Sequence, residues 1–191
     1  MDNVTRQLEE SKHIDNAIIE IDKHILQILI ASMTVAVTLL SAIGGLAIGK
    51  EGVNVSIIHA YAALTPNLLI IPSFYLMLSQ RIDMMRLGAY RRVFFEEQYK
   101  FDGWETRLGR LRIIEIKESN DPVPLIFWAI FFSSMSLFDY VILKCGAASF
   151  HLMVPLVPSL FIIYPHYQWR RVVTIDLPRY VELWREVAKG N

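Results

Sequence analysis

The sequence predicts an all-α integral membrane protein: four transmembrane helices, the first belonging to a long N-terminal helix, with a helical cytosolic connector between two hairpins. Three observations carry this. Of the 191 residues, 53% are hydrophobic and the formal net charge is zero, with a mean hydropathy of +0.35, a balance that belongs to membrane chains rather than compact soluble enzymes. No charged residue occurs in 25–49, 52–80, 122–138 or 145–169, and each run is long enough to cross a hydrocarbon core of ~30 Å. A chain of this length has too little polar surface to wrap four such helices in water. Lys and Arg are also partitioned: three precede Ile25, nine lie in 81–121 and five follow His166, leaving Lys50 and Lys144 for two short outer loops. By the positive-inside rule, both termini and the connector are expected in the cytosol.

The expected order is a cytosolic N-terminal helix over 1–24 continuous with the first span, a transmembrane hairpin over 25–80, the connector 81–121, a second hairpin over 122–168 and a cytosolic C-terminal helix over 169–191. The opening MDNVTRQLEESKHIDN lacks the basic start and short apolar core of a secretory signal. The first span is therefore expected to stay in the mature protein. Cys145 is the single cysteine, which excludes an internal disulfide and a thiolate metal cluster.

In the first helix, Ile14, Ile18, Ile21, Ile25 and Ile28 alternate steps of four and three, a heptad seam that continues through Ser32, Val35, Leu39, Ala42, Leu46 and Gly49. Isoleucine at both seam positions favours three or four strands, so a homo-oligomeric trimer or tetramer is expected. The alternative is a seam packed on the chain's own helices. A second stripe, Gln27, Ala31, Thr34, Thr38, Ser41 and Gly45, gathers the small and polar residues of this span. Such groups avoid acyl chains. Either they mediate close helix packing, aided by the small residues Ser41, Gly45 and Gly49, or Gln27, Thr34, Thr38 and Ser41 line a central pathway between copies of the helix.

The second span holds His59, Pro66, Asn67 and Pro72, and the fourth holds His151, Pro155, Pro158 and Pro165. Proline in a membrane helix frees backbone carbonyls that neighbours must satisfy. Asp139 is the one carboxylate within the four spans; it is a candidate for an outer pore mouth, or a partner for interfacial water and Lys144.

The connector contains YRRVFFEEQYKFDGWETRLGRLR, residues 90–112. Asp102 with Glu105 fits a helix N-cap ahead of a helix from about 103 to 117. Arg92, Glu96 and Lys100 are spaced to pair along a helical extension of the second span. Nine basic against eight acidic residues in 81–121 is not the footprint of generic nucleic-acid binding. Arg91, Arg92, Arg107, Arg110 and Arg112, with Trp104, are instead candidates for a specific phosphate-bearing ligand. The alternative is a solvated connector touching lipid headgroups.

Catalytic patterns are absent. The five histidines, His13, His24, His59, His151 and His166, form no HExxH pair, GGLAIG lies inside an apolar helix, and no intramembrane carboxylates are paired. No enzymatic activity and no cofactor or metal is expected. The two hairpins show no residue-level repeat at this reading.

With a transmembrane hairpin ahead of that aromatic, charged segment, the chain resembles the SLATT-like membrane effectors of bacterial antiphage systems, with the channel component of the Hailong system the nearest specific likeness. The resemblance spans mainly 20–118. It implies oligomers in the bacterial inner membrane that act on the membrane when a nucleotide or oligonucleotide, made by a partner enzyme, signals. The second hairpin departs from the two-span SLATT plan.

Overall fold

The computed structural model describes residues 3–48, 56–97, 106–107, 122–146, 151 and 153–190. All regular structure among them is helical. The helices are α1 (Asn3–Ile48), α2 (Ile57–Ala63), α3 (Thr65–Arg91), α4 (Pro122–Lys144), α5 (Leu156–Arg171) and α6 (Leu177–Ala188). Two π-helical turns, Arg92–Glu97 and Val172–Asp176, continue α3 and α5. Among the described residues, three stretches are long and apolar enough to cross a membrane: Glu9–Ala47, Ile57–Glu97 and Pro122–Lys144. Among the described residues of the fourth apolar run the α-helix begins at Leu156, and the 16 residues of α5 rise about 24 Å. Pro155, which closes the preceding turn, is the natural start for it.

The chain forms two compact units. One, residues 28–76 and 122–166, is apolar. Its small residues Ala47, Ala60 and Ala63 let helices approach Phe138, Val141 and Ile142, all essentially buried. Farther along, Phe74 and Phe127 stack with centroids 4.6 Å apart. The other unit, residues 1–27, 77–121 and 167–191, gathers both chain ends and the connector. There the Arg81 guanidinium lies 4.1 Å from the centre of the buried Trp169 ring, a cation–π contact.

Pro66 explains the break between α2 and α3. Lacking an N–H, it cannot bond the Ala62 carbonyl, which instead accepts the Thr65 hydroxyl at 2.6 Å. The Asn67 N–H bonds back to Leu64 O at 3.0 Å, freeing the Ala63 carbonyl. Ser134 of α4 donates its hydroxyl to that carbonyl at 2.6 Å, and Asn67 Nδ2 donates to Ser134 Oγ at 2.8 Å. Asn67 and Ser134 are buried, so this chain satisfies backbone groups that lipid could not. The proline expectation is met with its partners named. His59, on the same segment, closes the start of α2 by accepting the Ser56 N–H at Nδ1, 3.2 Å away.

The two π-turns follow one local sequence. Arg91-Arg92-Val93 precedes Glu97, and Arg170-Arg171-Val172 precedes Asp176. Both valines are buried. A π-turn brings residues i and i+5 together, and accordingly Arg92 Nε lies 3.4 Å from Glu97 Oε1 while Arg171 Nε lies 3.7 Å from Asp176 Oδ1. Pro178 accounts for the second turn, because its ring displaces the Thr174 carbonyl. Upstream, Pro66-x-Leu68-x-Ile70-Ile71 matches Pro158-x-Leu160-x-Ile162-Ile163. Leu68 and Leu160 are the exposed members, 74% and 71%, and Ile70 and Ile162 are both fully buried. Helices α3 and α5 thus share a residue pattern and an exposure pattern, a similarity the sequence reading missed because thirteen more residues separate the two motifs in the first copy.

Candidate functional site

The exposed face of α1 is the first site. Only 11% of its most apolar stretch is buried within the chain, against 39% and 44% in the other two candidate spans. Its inward face carries Ser32, Ala36 and Ala47, all buried. At 100° per residue, Gln27, Ala31, Thr34, Thr38, Ser41 and Gly45 all fall within about 40° of the direction opposite Ala36. Each of the six is exposed. Their flanks are apolar and exposed as well: Ile30 and Val37 on one side, Val35 and Leu46 on the other. A Cβ added at Gly44 or Gly45 would meet nothing within 4 Å, so close packing there needs another molecule.

The hydroxyls in this stripe are partly satisfied already. Thr34 donates to Ile30 O at 2.8 Å and Thr38 to Thr34 O at 2.7 Å. This back-bonding lowers the cost of facing lipid, so polarity alone does not force the stripe against protein or water.

The isoleucine seam lies on the opposite, inward side. Ile14 is 7% exposed, and Ile18, Ile21, Ile25 and Ile28 are half-buried within a single chain. Ile14 is thus covered by the chain itself, while the other four keep part of their surface open. A straight α-helix drifts ~20° per heptad from a 3.5-residue repeat, so the later members Val35, Ala42 and Leu46 rotate outward and are exposed. The packed face follows an eleven-residue interval instead: Ile14, Ile25, Ala36, Ala47.

Asp139 is half-buried, and its Oδ1 has no hydrogen-bond partner among the described residues. Lys144 does not pair with it there; Lys144 Nζ donates to Ala47 O at 2.9 Å, where a cation suits the carbonyl end of α1. Tyr61 and His151 share a hydrogen bond of 2.9 Å between hydroxyl and Nδ1.

The second site is the charged and aromatic cluster of the polar unit. Arg91 pairs with Asp15 at 3.1 Å and Arg92 with Glu97, so both guanidiniums already face carboxylates. Arg107 is exposed; Trp104, Arg110 and Arg112, together with most of the expected 103–117 helix, lie outside the described residues. The expected Arg92–Glu96 pairing is replaced, since the π-turn inserts one residue and carries Glu96 inward. Glu96 is 2% exposed, and its Oε2 accepts both the Thr106 N–H, at 2.8 Å, and the Thr106 hydroxyl. Lys100, the third member of that expected series, lies outside the described residues.

Sequence reasoning missed the partner of this segment, α6. Arg185 grips Glu97 twice, Nε to Oε2 at 2.9 Å and Nη2 to Oε1 at 2.6 Å. Trp184 Nε1 donates to Arg86 O at 3.2 Å, and its ring sits edge-on to Tyr90 and Phe94, at 5.1 and 6.1 Å. The Arg185 hydrogen bonds, with Arg92 behind them, hold the Glu97 carboxyl below its ordinary range against the opposing effect of burial. Burial first, then the hydrogen bond to Glu10, pushes the Tyr90 hydroxyl up to about 12. The available signal was the amphipathic spacing of Leu177, Val181 and Trp184 in LPRYVELWREVAK. No protein family, curated protein or solved structure matches the chain.

Proposed function

We propose that the chain is a homo-oligomeric channel or pore-forming effector of the bacterial inner membrane, in which copies of α1 turn Gln27, Thr34, Thr38 and Ser41 toward a common axis. The observation that supports it is the position of this stripe: opposite the packed face, flanked by exposed apolar shoulders fit for neighbouring copies, and open at Gly44 and Gly45. The run 145–169 serves as a fourth crossing, returning the C-terminal helix to the cytosolic side with the N-terminus and connector. Trimers or tetramers then assemble through the outward half of α1, with the isoleucine seam steadying each subunit internally. Asp139 stands near the outer end of α4 as a candidate for the mouth.

An anionic cytosolic signal, a nucleotide or oligonucleotide from a partner enzyme, is the proposed input, received by Arg91, Arg92, Arg107, Arg110, Arg112 and Trp104. The resemblance to SLATT-like effectors supports antiphage defence as the setting.

Single-channel recording on size-selected oligomers tests the reading. Thr38→Leu is expected to lower conductance without lowering oligomer yield. Unaltered conductance in Thr34→Leu, Thr38→Leu and Ser41→Leu alike removes the stripe from the pore wall, and absence of flux from wild-type proteoliposomes favours a non-conducting membrane adaptor.

A further inference from the structure

The first π-turn is built from doublets: Arg91-Arg92, Phe94-Phe95, Glu96-Glu97. In the observed register Arg92 faces Glu97, five residues on, while Glu96 is buried on Thr106. In an unbroken α-helix Arg92 would instead face Glu96, four residues on. The chain therefore holds an identical acid for either register, so a slide of one residue costs Arg92 no partner. The Glu96–Thr106 anchor and the Arg185–Glu97 pairing are what differ between the two. A slide of this kind turns whatever follows by about 100° and shifts it about 1.5 Å along the axis.

What holds the observed register is α6. Its Arg185 binds Glu97 through two parallel hydrogen bonds, a geometry that selects one carboxylate by position. Trp184 adds its bond to Arg86 O and its edge contacts with Tyr90 and Phe94. Leu177 and Val181 are buried beneath. Glu97 thus receives guanidiniums from two elements, Arg92 ahead of it and Arg185 across from it.

We propose that residues 91–97 are a two-register switch: clasped by Arg185 they form the π-turn and Glu96 anchors Thr106, and unclasped they revert to an α-turn in which Glu96 leaves Thr106 for Arg92. π-bulges recur at functional sites for this reason, being one inserted residue away from a regular helix. The switch stands on contacts within the polar unit and holds whether or not the chain conducts.

Hydrogen exchange on the full-length protein in detergent micelles tests it, with the Thr106 amide as the reporter because its bond to Glu96 lies apart from α6. Arg185→Gln is expected to speed Thr106 exchange about tenfold. Adding Glu96→Gln removes the acid that would pair with Arg92 in the α register while keeping an acceptor for Thr106, so the double variant is expected to regain most of the protection. Helical circular dichroism at wild-type amplitude confirms that both variants are folded, and Arg185→Lys serves in place of Arg185→Gln should that variant fail this check. Unchanged Thr106 exchange in the single variant overturns the switch. Faster exchange that Glu96→Gln does not reverse overturns it too, since simple fraying would remain.

Discussion

Ala36 and Thr38 are two residues apart on α1 and face opposite ways: Ala36 is wholly buried inside the apolar unit, whereas the Thr38 side chain is exposed, its hydroxyl turned back onto Thr34 O. A helix whose two sides differ this sharply can be tested one side at a time.

Enlarging the inward side should damage the subunit itself. Ala36→Leu places extra methylenes where no space exists and is expected to destabilise by about 1–3 kcal/mol. Thr38→Leu, on the open side, should leave subunit stability nearly unchanged. Thermal unfolding in one detergent compares the two; equal losses would show that the chain alone does not define the packed face.

Ser134→Ala should strand both the Asn67 amide and the Ala63 carbonyl in an apolar setting. The expected cost is about 1–3 kcal/mol for the unsatisfied groups. Adding Asn67→Leu removes one of the orphans, so the double variant should be more stable than Ser134→Ala alone. A double variant weaker than either single would mean the two residues contribute by packing.

The clasp on α6 should depend on pH. The folded-state pKa of Glu97 is depressed, so its contribution is complete above the ordinary glutamate value of about 4.3 and is lost as pH falls through the lower, folded value. Trp184 fluorescence should report loosening in that acidic window. Glu97→Gln should remove this step, and its persistence in that variant would assign it to another carboxylate.

Topology gives a further expectation. In a Cys145→Ser background, a cysteine at Val53 should react with an impermeant reagent added outside intact cells and one at Ser119 should not. Labelling at 119 alone would invert the proposed orientation.

The helical class, the long first helix and three long apolar segments were legible because charge-free runs and proline positions report them directly. The stripe from Gln27 to Ser41 was visible as a pattern, though its direction came only with the packing of Ser32, Ala36 and Ala47. The isoleucine seam named a face but not its partner: within one chain Ile14 is buried and the other four are half-buried, while the packed face of α1 recurs at an eleven-residue interval rather than a heptad. Glu96 and Glu97 could not be told apart by spacing, since a π-turn moves the pairing by one residue. Trp184 and Arg185 were out of reach for another reason: their partners, Tyr90 and Glu97, lie some ninety residues earlier and no local rule links them.

The back-bonded threonines of α1 bear on which ions the stripe would welcome. Thr34 and Thr38 have committed their hydroxyl protons to Ile30 O and Thr34 O, so what they turn outward is oxygen lone pairs. At Thr34 and Thr38 a chloride ion would find no O–H to bind it, whereas the Ser41 hydroxyl and the Gln27 amide on the same face keep donors. Were copies of α1 to enclose a pathway, a sodium or potassium ion would meet acceptor oxygens one helical turn apart at these two residues, rungs on which to exchange part of its water shell.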